Sequence, residues 1–392
     1  MNKNISPKIR FKGHIDAWEQ RKFSELAETR RGLTYNPSDI RDSGIRVLRS
    51  SNIAEDQFTY GEEDVFVVPD AVNIPYANKG DILITSANGS TRLVGKHAII
   101  MDIPDNSAVH GGFMLLASAK NSEFVNALMS APWYSKFISL YVAGGNGAIG
   151  NLNKNDLDEQ DVFVPEDAEQ KAIGQFFAQL DELITLHQRK HIKLQNAKKS
   201  MLWKMFPHND NEIPEVRLKG FSGVWSLRKL NTFVNYSSSN LAAKDSMNKG
   251  RYDLYDANNI IGKTDHTPMT EDYITIIKDG AGVGRIRMLP KNSMFIGTMG
   301  ALTARDSNLN FVFTLLTANN LGNSFSGSTI PHIYFKDYGE NAYYIPHYNE
   351  QCAIGDFFKK LDDLIESENR YINKLLLMKK ALLNKMFVEA EA

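Results

Sequence analysis

Glu169 to Phe206 reads EQKAIGQFFAQLDELITLHQRKHIKLQNAKKSMLWKMF, and Glu350 to Phe387 reads EQCAIGDFFKKLDDLIESENRYINKLLLMKKALLNKMF. Twenty of these 38 positions are identical without a gap, at an offset of 181, which marks an internal duplication. In the first copy Ile173, Phe177, Leu180, Ile184, His187, His191, Leu194, Lys198, Met201 and Met205 step alternately by four and three. In the second, Ile354, Phe358, Leu361, Ile365, Glu368, Ile372, Leu375, Lys379, Leu382 and Met386 repeat the spacing. Such a rhythm puts one stripe down a helix and is the seam of a coiled coil. Pro165 and Pro346 precede the runs, where a helix start accepts proline. Acidic residues crowd the first half of each run and basic residues the second, as the helix dipole favours. About 40 residues at 1.5 Å each make a rod of roughly 60 Å. A rod with so long a stripe needs a partner, and its own copy supplies one.

A shorter repeat lies upstream of each rod. Pro7 to Phe23 and Pro214 to Leu230 share seven of seventeen positions at an offset of 207, among them Arg10/Arg217, Gly13/Gly220 and Trp18/Trp225. The chain is thus two halves, about 1–207 and 208–392, each a common frame around a middle with little shared sequence. The middles read as α+β. Arg46–Leu48, Val65–Val68, Ile82–Thr85 and His97–Met101 alternate like strands, and Ser122–Met129 and Trp133–Val142 like helices, the latter ended by Gly144-Gly145. The second middle offers strands at Ile274–Lys278, Arg285–Leu289 and Ser293–Ile296 and a helix near Phe311–Thr317. The absence of strand–helix alternation argues against a doubly wound sheet.

Composition bounds the function. With 42% hydrophobic and 23% charged residues the chain is ordinary globular protein, and its single cysteine, Cys352, excludes an internal disulfide framework and fits a reducing cytoplasm. The first residues carry no apolar run of signal-peptide length, and no stretch of about 18 apolar residues suggests a membrane span. Net charge is −1, yet the distribution is uneven. Met1–Arg31 holds eight Lys/Arg against four acids, while Leu186–Phe206 and Arg370–Phe387 hold six and five with no acid. A nucleic-acid partner needs a positive face, not a positive total.

Two strings invite a methyltransferase reading. Lys278-Asp279-Gly280-Ala281-Gly282-Val283-Gly284 follows an apolar strand, and Asn73-Ile74-Pro75-Tyr76 resembles an adenine methyltransferase motif. A glycine loop that cradles a cofactor should open a helix; here Arg285 to Pro290 alternates like a strand and stops at proline. The second string has Ile where that family has its first Pro, and the two lie in different halves. His187 and His191 have metal-pair spacing but no acidic ligand one turn away, so they read as polar seam positions. No nucleophile elbow or P-loop is present, so no catalytic residue and no metal ligand is assigned. What remains is binding chemistry. Asn88, Ser90, Arg92 and Lys96 lie on or beside a polar turn, Arg285, Arg287 and Lys291 follow a glycine turn in the second half, and Arg46, Arg49 and Asn52 flank a strand. Arg and Asn are the side chains that read G and A edges bidentately in the major groove, so these ten are the candidate DNA contacts, with ordinary polar loops as the alternative.

Two divergent middles, each entered by a Trp-x-x-x-Lys segment (Trp18–Phe23, Trp225–Leu230) and each followed by Glu-Gln…Ala-Ile-Gly…Phe-Phe…Leu-Asp (Glu169–Ile184, Glu350–Ile365), resemble the specificity subunit of type I restriction–modification systems. The resemblance spans essentially the whole chain. It implies an α+β fold with two target recognition domains in a pseudo-two-fold arrangement, separated by two long helices in an antiparallel coiled coil. The divisions would be 1–165 and 208–345 for the recognition domains and 166–207 and 346–392 for the helices. It implies that each domain reads one half of a split double-stranded DNA target, and that the helices set the half-site spacing and dock two methyltransferase subunits. It implies further that this cytoplasmic chain is not catalytic. S-adenosylmethionine would be bound by the methyltransferases, and ATP with Mg by restriction subunits. A duplicated protein–protein scaffold is the competing reading, and a methyltransferase the third. If the helices overlap fully, His191 faces Glu368 and His187 faces Ile372, and the chain is nearly cyclic, with Phe387 close to Pro7.

Overall fold

The computed structural model describes residues 5–61, 63–142, 150–208, 211–280, 282–321 and 332–388; Gly144-Gly145 and Ala281 lie outside them. Two unbroken helices dominate, Asp167–Lys204 and Tyr348–Met386, each starting two residues after its proline. They pair antiparallel. Asp181 Oδ1 meets Lys379 Nζ at 2.5 Å, Lys198 is ion-paired with Asp362, and Lys190 Nζ lies 2.9 Å from a Glu368 carboxylate oxygen. The split of acids and bases along each helix accounts for this direction. Antiparallel pairing sets the acidic first half of one helix against the basic second half of the other, whereas parallel pairing would oppose like charges. Half-buried pairs of this kind lose much of their attraction to desolvation, but they specify register. None of the twenty seam residues is exposed, and Ile173, Phe177, Leu180, Ile184, Ile354, Phe358, Ile372 and Leu375 are buried.

The register is the expected one, with one correction. The His187 ring packs on Tyr371 at 4.5 Å between centroids, one residue from the expected Ile372. Glu368, 8% exposed, takes an ion pair from Lys190. Lys190 can do so from the edge of the seam because its four-carbon stem carries the ammonium inward from an exposed position. Beside it, the Nδ1 of His191 is buried without a hydrogen-bond partner.

The chain falls into two compact units, residues 1–187 with 371–392, and residues 188–370. The boundary cuts both helices near their middles, so each unit joins a middle to the first half of its own helix and the second half of the other. In the first unit the strand order is His97–Ile99, Ile82–Thr85, Met114–Ala119, Ala27–Arg31. A second sheet there has Ala108–His110 parallel to Ile45–Leu48, which is antiparallel to Val65–Val67. In the second unit the order is Ile286–Leu289, Tyr273–Ile277, Met299–Ala304, Val234–Ser238. Its second sheet has Ser293–Phe295 parallel to Tyr252–Tyr255, which is antiparallel to Ile260–Thr264. Middles with little common sequence therefore share one topology. The helix Ser122–Met129 of the first corresponds to Leu309–Asn319 of the second. Pro132 separates Ser122–Met129 from a second helix, Pro132–Tyr141, which it begins, since a first-turn residue needs no N–H partner.

The repeated residues are the joints of this frame. Arg10 grips the fully buried Glu169 with Nε and Nη2, both at 2.7 Å, and Arg217 grips Glu350 through the same atoms at the same distances. Gln170 and Gln351 donate back to the carbonyls of Pro165 and Pro346 at 2.9 and 3.0 Å. Gly174 and Gly355 admit the first turns of the head helices, where an added Cβ would stand 2.6 Å from Phe124 N and 2.8 Å from Phe311 N. The helix ends complete the heads. Phe387 packs edge-on to Trp18 (6.2 Å) and against Phe124 and Phe177, and Phe206 packs edge-on to Trp225 (6.1 Å) and against Phe311 and Phe358. Ile9 N donates to Lys385 O at 2.9 Å and Val216 N to Lys204 O at 2.8 Å, so the segment before each head meets the end of a long helix.

Phe387→Ala removes a side chain buried among three rings and is expected to cost about 3–5 kcal/mol. By hydrogen exchange, Met114–Ala119 should lose protection while Met299–Ala304 keeps it, and Phe206→Ala should do the reverse. Equal loss in both units would show that the helix ends do not close the heads one by one.

Candidate nucleic-acid interface

The candidate residues divide into those that build loops and those that face solvent. Arg46 belongs to the builders. Its guanidinium is ion-paired with Asp64 and lies 4.6 and 4.7 Å from the ring centroids of Tyr60 and Phe66. Asn52 is fully buried, accepting from Arg49 N at 2.8 Å and donating to Thr59 O at 3.0 Å and Asp64 Oδ1 at 2.8 Å. Breaking such a buried network leaves polar atoms unpaired, so both residues hold the loop that carries Arg49 and Ser50.

That loop borders a cleft of about 690 Å³ in the first unit. Thr34, Tyr35, Arg49, Ser50, Asn88 and Phe113 stand in its wall. Asn88 donates to Ser50 Oγ at 3.1 Å and accepts from Ser90 N at 2.9 Å, which ties the two sides together. Phe113 is 71% exposed on a turn whose carbonyl accepts both Ser86 N and Ala87 N. Sequence reasoning missed Phe113 and Tyr35, because a lone aromatic between strands carries the same pattern as a core residue. Ser90 and Arg92 are exposed and Lys96 half-buried, and the cleft wall does not include them.

In the second unit the two arginines brace a turn. Arg285 donates to Ala257 O (2.7 Å) and Asn258 Oδ1 (2.6 Å), and Arg287 donates to Asn258 O (2.8 Å) from a position 5.3 Å from the Tyr255 ring centroid. Lys291 is exposed, its backbone N bonded to Asp272. The glycine string forms a hairpin. Ile286–Leu289 runs back antiparallel along Tyr273–Ile277, with Gly280, Gly282 and Gly284 all at positive φ, so no helix N-terminus faces a cofactor there. Ile74 and Tyr76 of the other string pack against a buried valine and leucine cluster. Among the described residues no group of three or more His, Cys, Asp or Glu could hold a metal, and no helix is long and apolar enough to cross a membrane.

The sequence pattern of the type I restriction modification DNA specificity domain matches residues 15–196 and again 224–377. The chain belongs to the type I restriction–modification DNA specificity family. Among curated proteins none matches it significantly. The crystal structure of the S subunit of a type I restriction–modification system from M. genitalium is similar in fold, with a TM-score of 0.67 at 17% identity over 99% of this chain and 100% of that one. The HsdS subunit from Thermoanaerobacter tengcongensis matches over 98% of this chain and 99% of its own at 15% identity and a TM-score of 0.41. Two DNA specificity domains in tandem make this protein the sequence-specificity subunit of a type I system, and the reading of its heads as protein-binding modules falls away.

Two histidines of the first head of this specificity subunit are held neutral. Burial pushes His110 down to about 4 and lowers His97 as well. The neutral His110 ring donates from Nε2 to Arg30 O at 3.1 Å. An unfolded histidine titrates near 6.5, so as pH falls the unfolded chain takes up the proton first. The stability tied to the neutral ring is whole above about 6.5 and is lost between about 6.5 and 4. Urea unfolding of the first unit should therefore show a lower midpoint at pH 5 than at pH 7.5. His110→Gln should narrow that gap, and an unchanged gap would assign the pH dependence elsewhere.

Proposed function

We propose that each head reads one half of a split double-stranded DNA target, and that the paired helices set the distance between the half-sites. The observation that carries this reading is the repetition of one head topology on one frame, joint for joint, around sequences that diverge. A device that reads two different sequences with one geometry needs this construction, because phosphate contacts and orientation can be shared while base contacts must differ. The same reading makes the chain a non-catalytic cytoplasmic subunit that works through others. The long helices carry large apolar side chains away from the seam: Leu186 is 62% exposed, Leu364 56% and Leu377 70%. Exposed apolar groups on a rod supply contacts for protein partners, here two methyltransferase subunits that bind S-adenosylmethionine and methylate adenine. Restriction subunits, with ATP and Mg, complete the assembly. The shared enclosure of DNA by these partners also accommodates a specificity subunit with a net charge of only −1.

The role of the helices is tested by lengthening one. Four residues inserted between Leu186 and Leu194 add about 6 Å of helix, and at about 3.4 Å per base pair the gap between half-sites should grow by one or two pairs. The bases read in each half should not change. Exchanging residues 24–145 for another reader should do the opposite, altering one half-site and leaving the gap. Mapping modified adenines across a host genome expressing each variant with its methyltransferase gives both results. An insertion that changed the bases while the gap stayed fixed would remove the helices as the ruler.

A further inference from the structure

The backbones of the two heads can be matched hydrogen bond by hydrogen bond around the cleft. In the first head Ser86 N donates to Phe113 O (2.9 Å), Leu152 N to Ser86 O (2.7 Å), Gly111 N to Leu48 O (2.9 Å), and Met114 N to Gly111 O (2.8 Å). In the second, Lys278 N donates to Thr298 O (3.0 Å), Ile333 N to Lys278 O (3.0 Å), Ile296 N to Tyr255 O (3.1 Å), and Met299 N to Ile296 O (3.1 Å). The antiparallel pair Ala87↔Asn151 of the first head has its counterpart in Asp279↔His332 of the second. These bonds align Phe113 with Thr298, Arg49 with Asp256, Ala87 with Asp279, and Asn151 with His332.

At these matched places the backbone is the same and the side-chain chemistry is not. Phe113 and Thr298 are both exposed at the tip of the same turn. The first head presents an aromatic ring, a guanidinium and an amide. The second presents a hydroxyl and the Asp279–His332 pair, whose Oδ1 and Nδ1 are 2.6 Å apart. We infer that this turn and the strand ends beside it are the base-reading edge of each head, and that these side chains decide which bases are read. The inference rests on the DNA reading proposed above and adds to it the residues that distinguish one half-site from the other. Phe113 is the apolar contact of the first half-site, suited to a thymine methyl group, and Arg49 is its hydrogen-bond donor, suited to a guanine edge. Asp279, His332 and Thr298 read the second half-site, where a carboxylate accepts from a cytosine amino group. Arg46, Asn52, Arg285 and Arg287 brace the loops behind these positions and read nothing themselves.

The experiment compares Phe113→Thr and Asp279→Ala subunits, each co-expressed with the methyltransferase. The readouts are genome-wide mapping of modified adenines, affinity of the purified complex for its target duplex, and the melting temperature. Threonine is what the same turn carries in the other head, and Phe113 is mostly exposed, so Phe113→Thr should melt with the wild type. If that variant nonetheless fails to fold, Arg49→Ala reports on the same half-site. Phe113→Thr should relax or change the bases of one half-site and weaken binding to the original duplex roughly 10- to 100-fold. Asp279→Ala should affect the other half-site only. A folded Phe113→Thr or Arg49→Ala complex that modifies the original sequence at the original level would overturn the inference, as would two variants that change the same half-site. A wild-type complex that modifies no two-part sequence would instead overturn the proposed function, and the inference with it.

Discussion

The structure depends on where the two long helices end. Phe387 closes the first unit and Phe206 the second, each buried against a tryptophan from the repeat that precedes a head and against the first phenylalanine of a head helix. Neither half of the chain contains its own plug. The phenylalanine that completes the first head lies at the end of the second helix, and the reverse holds for the second head. The duplicated halves are therefore not two domains in series, since each compact unit takes elements from both. This is why the repeats persist where they do. Trp18, Arg10, Glu169, Gly174 and Phe387, with their counterparts, are all parts of the joint between head, helix start and helix end.

Around those joints the rest follows from charge and packing. Acid-first, base-last helices pair antiparallel without opposing like charges, and the seam selects one register from the slides that the heptad pattern allows. Burial raises the Asp181 carboxyl from its ordinary value although the Lys379 ammonium at 2.5 Å opposes this. That pair is thus worth more as a marker of register than as a source of stability. Ile9 bonds Lys385 in the first unit just as Val216 bonds Lys204 in the second, so the same joint closes each unit.

Much of this was legible in the sequence, because helix spacing and repeat offsets are local properties. The rods followed from them, as did about half of the strands in the main sheets of the heads, while the antiparallel direction came with the family resemblance and the register with full overlap of the rods. The common topology of the heads was not legible, because it is held by backbone hydrogen bonds that place few demands on side-chain identity. Which candidate residues build loops and which face solvent was not legible for a related reason. Arg46 and Asn52 have the chemistry of base readers and both bond Asp64, a carboxylate too far along the chain for their local sequence to report it. Phe113 is the opposite case, an apolar residue at a turn whose exposure only the fold reveals. Lys190 rather than His191 meets Glu368 because a long side chain reaches from outside the seam.

The central claim is that each head is completed by the end of the other repeat's helix. A circular permutant tests it most directly, with residue 388 linked to residue 5 by a short Gly/Ser segment and the chain reopened at Asn209. Expressed with the methyltransferase, it should fold and direct modification to the same two half-sites at the same spacing as the parent. A permutant that is soluble and folded but reads one half-site only, or reads both at a different spacing, would contradict the account.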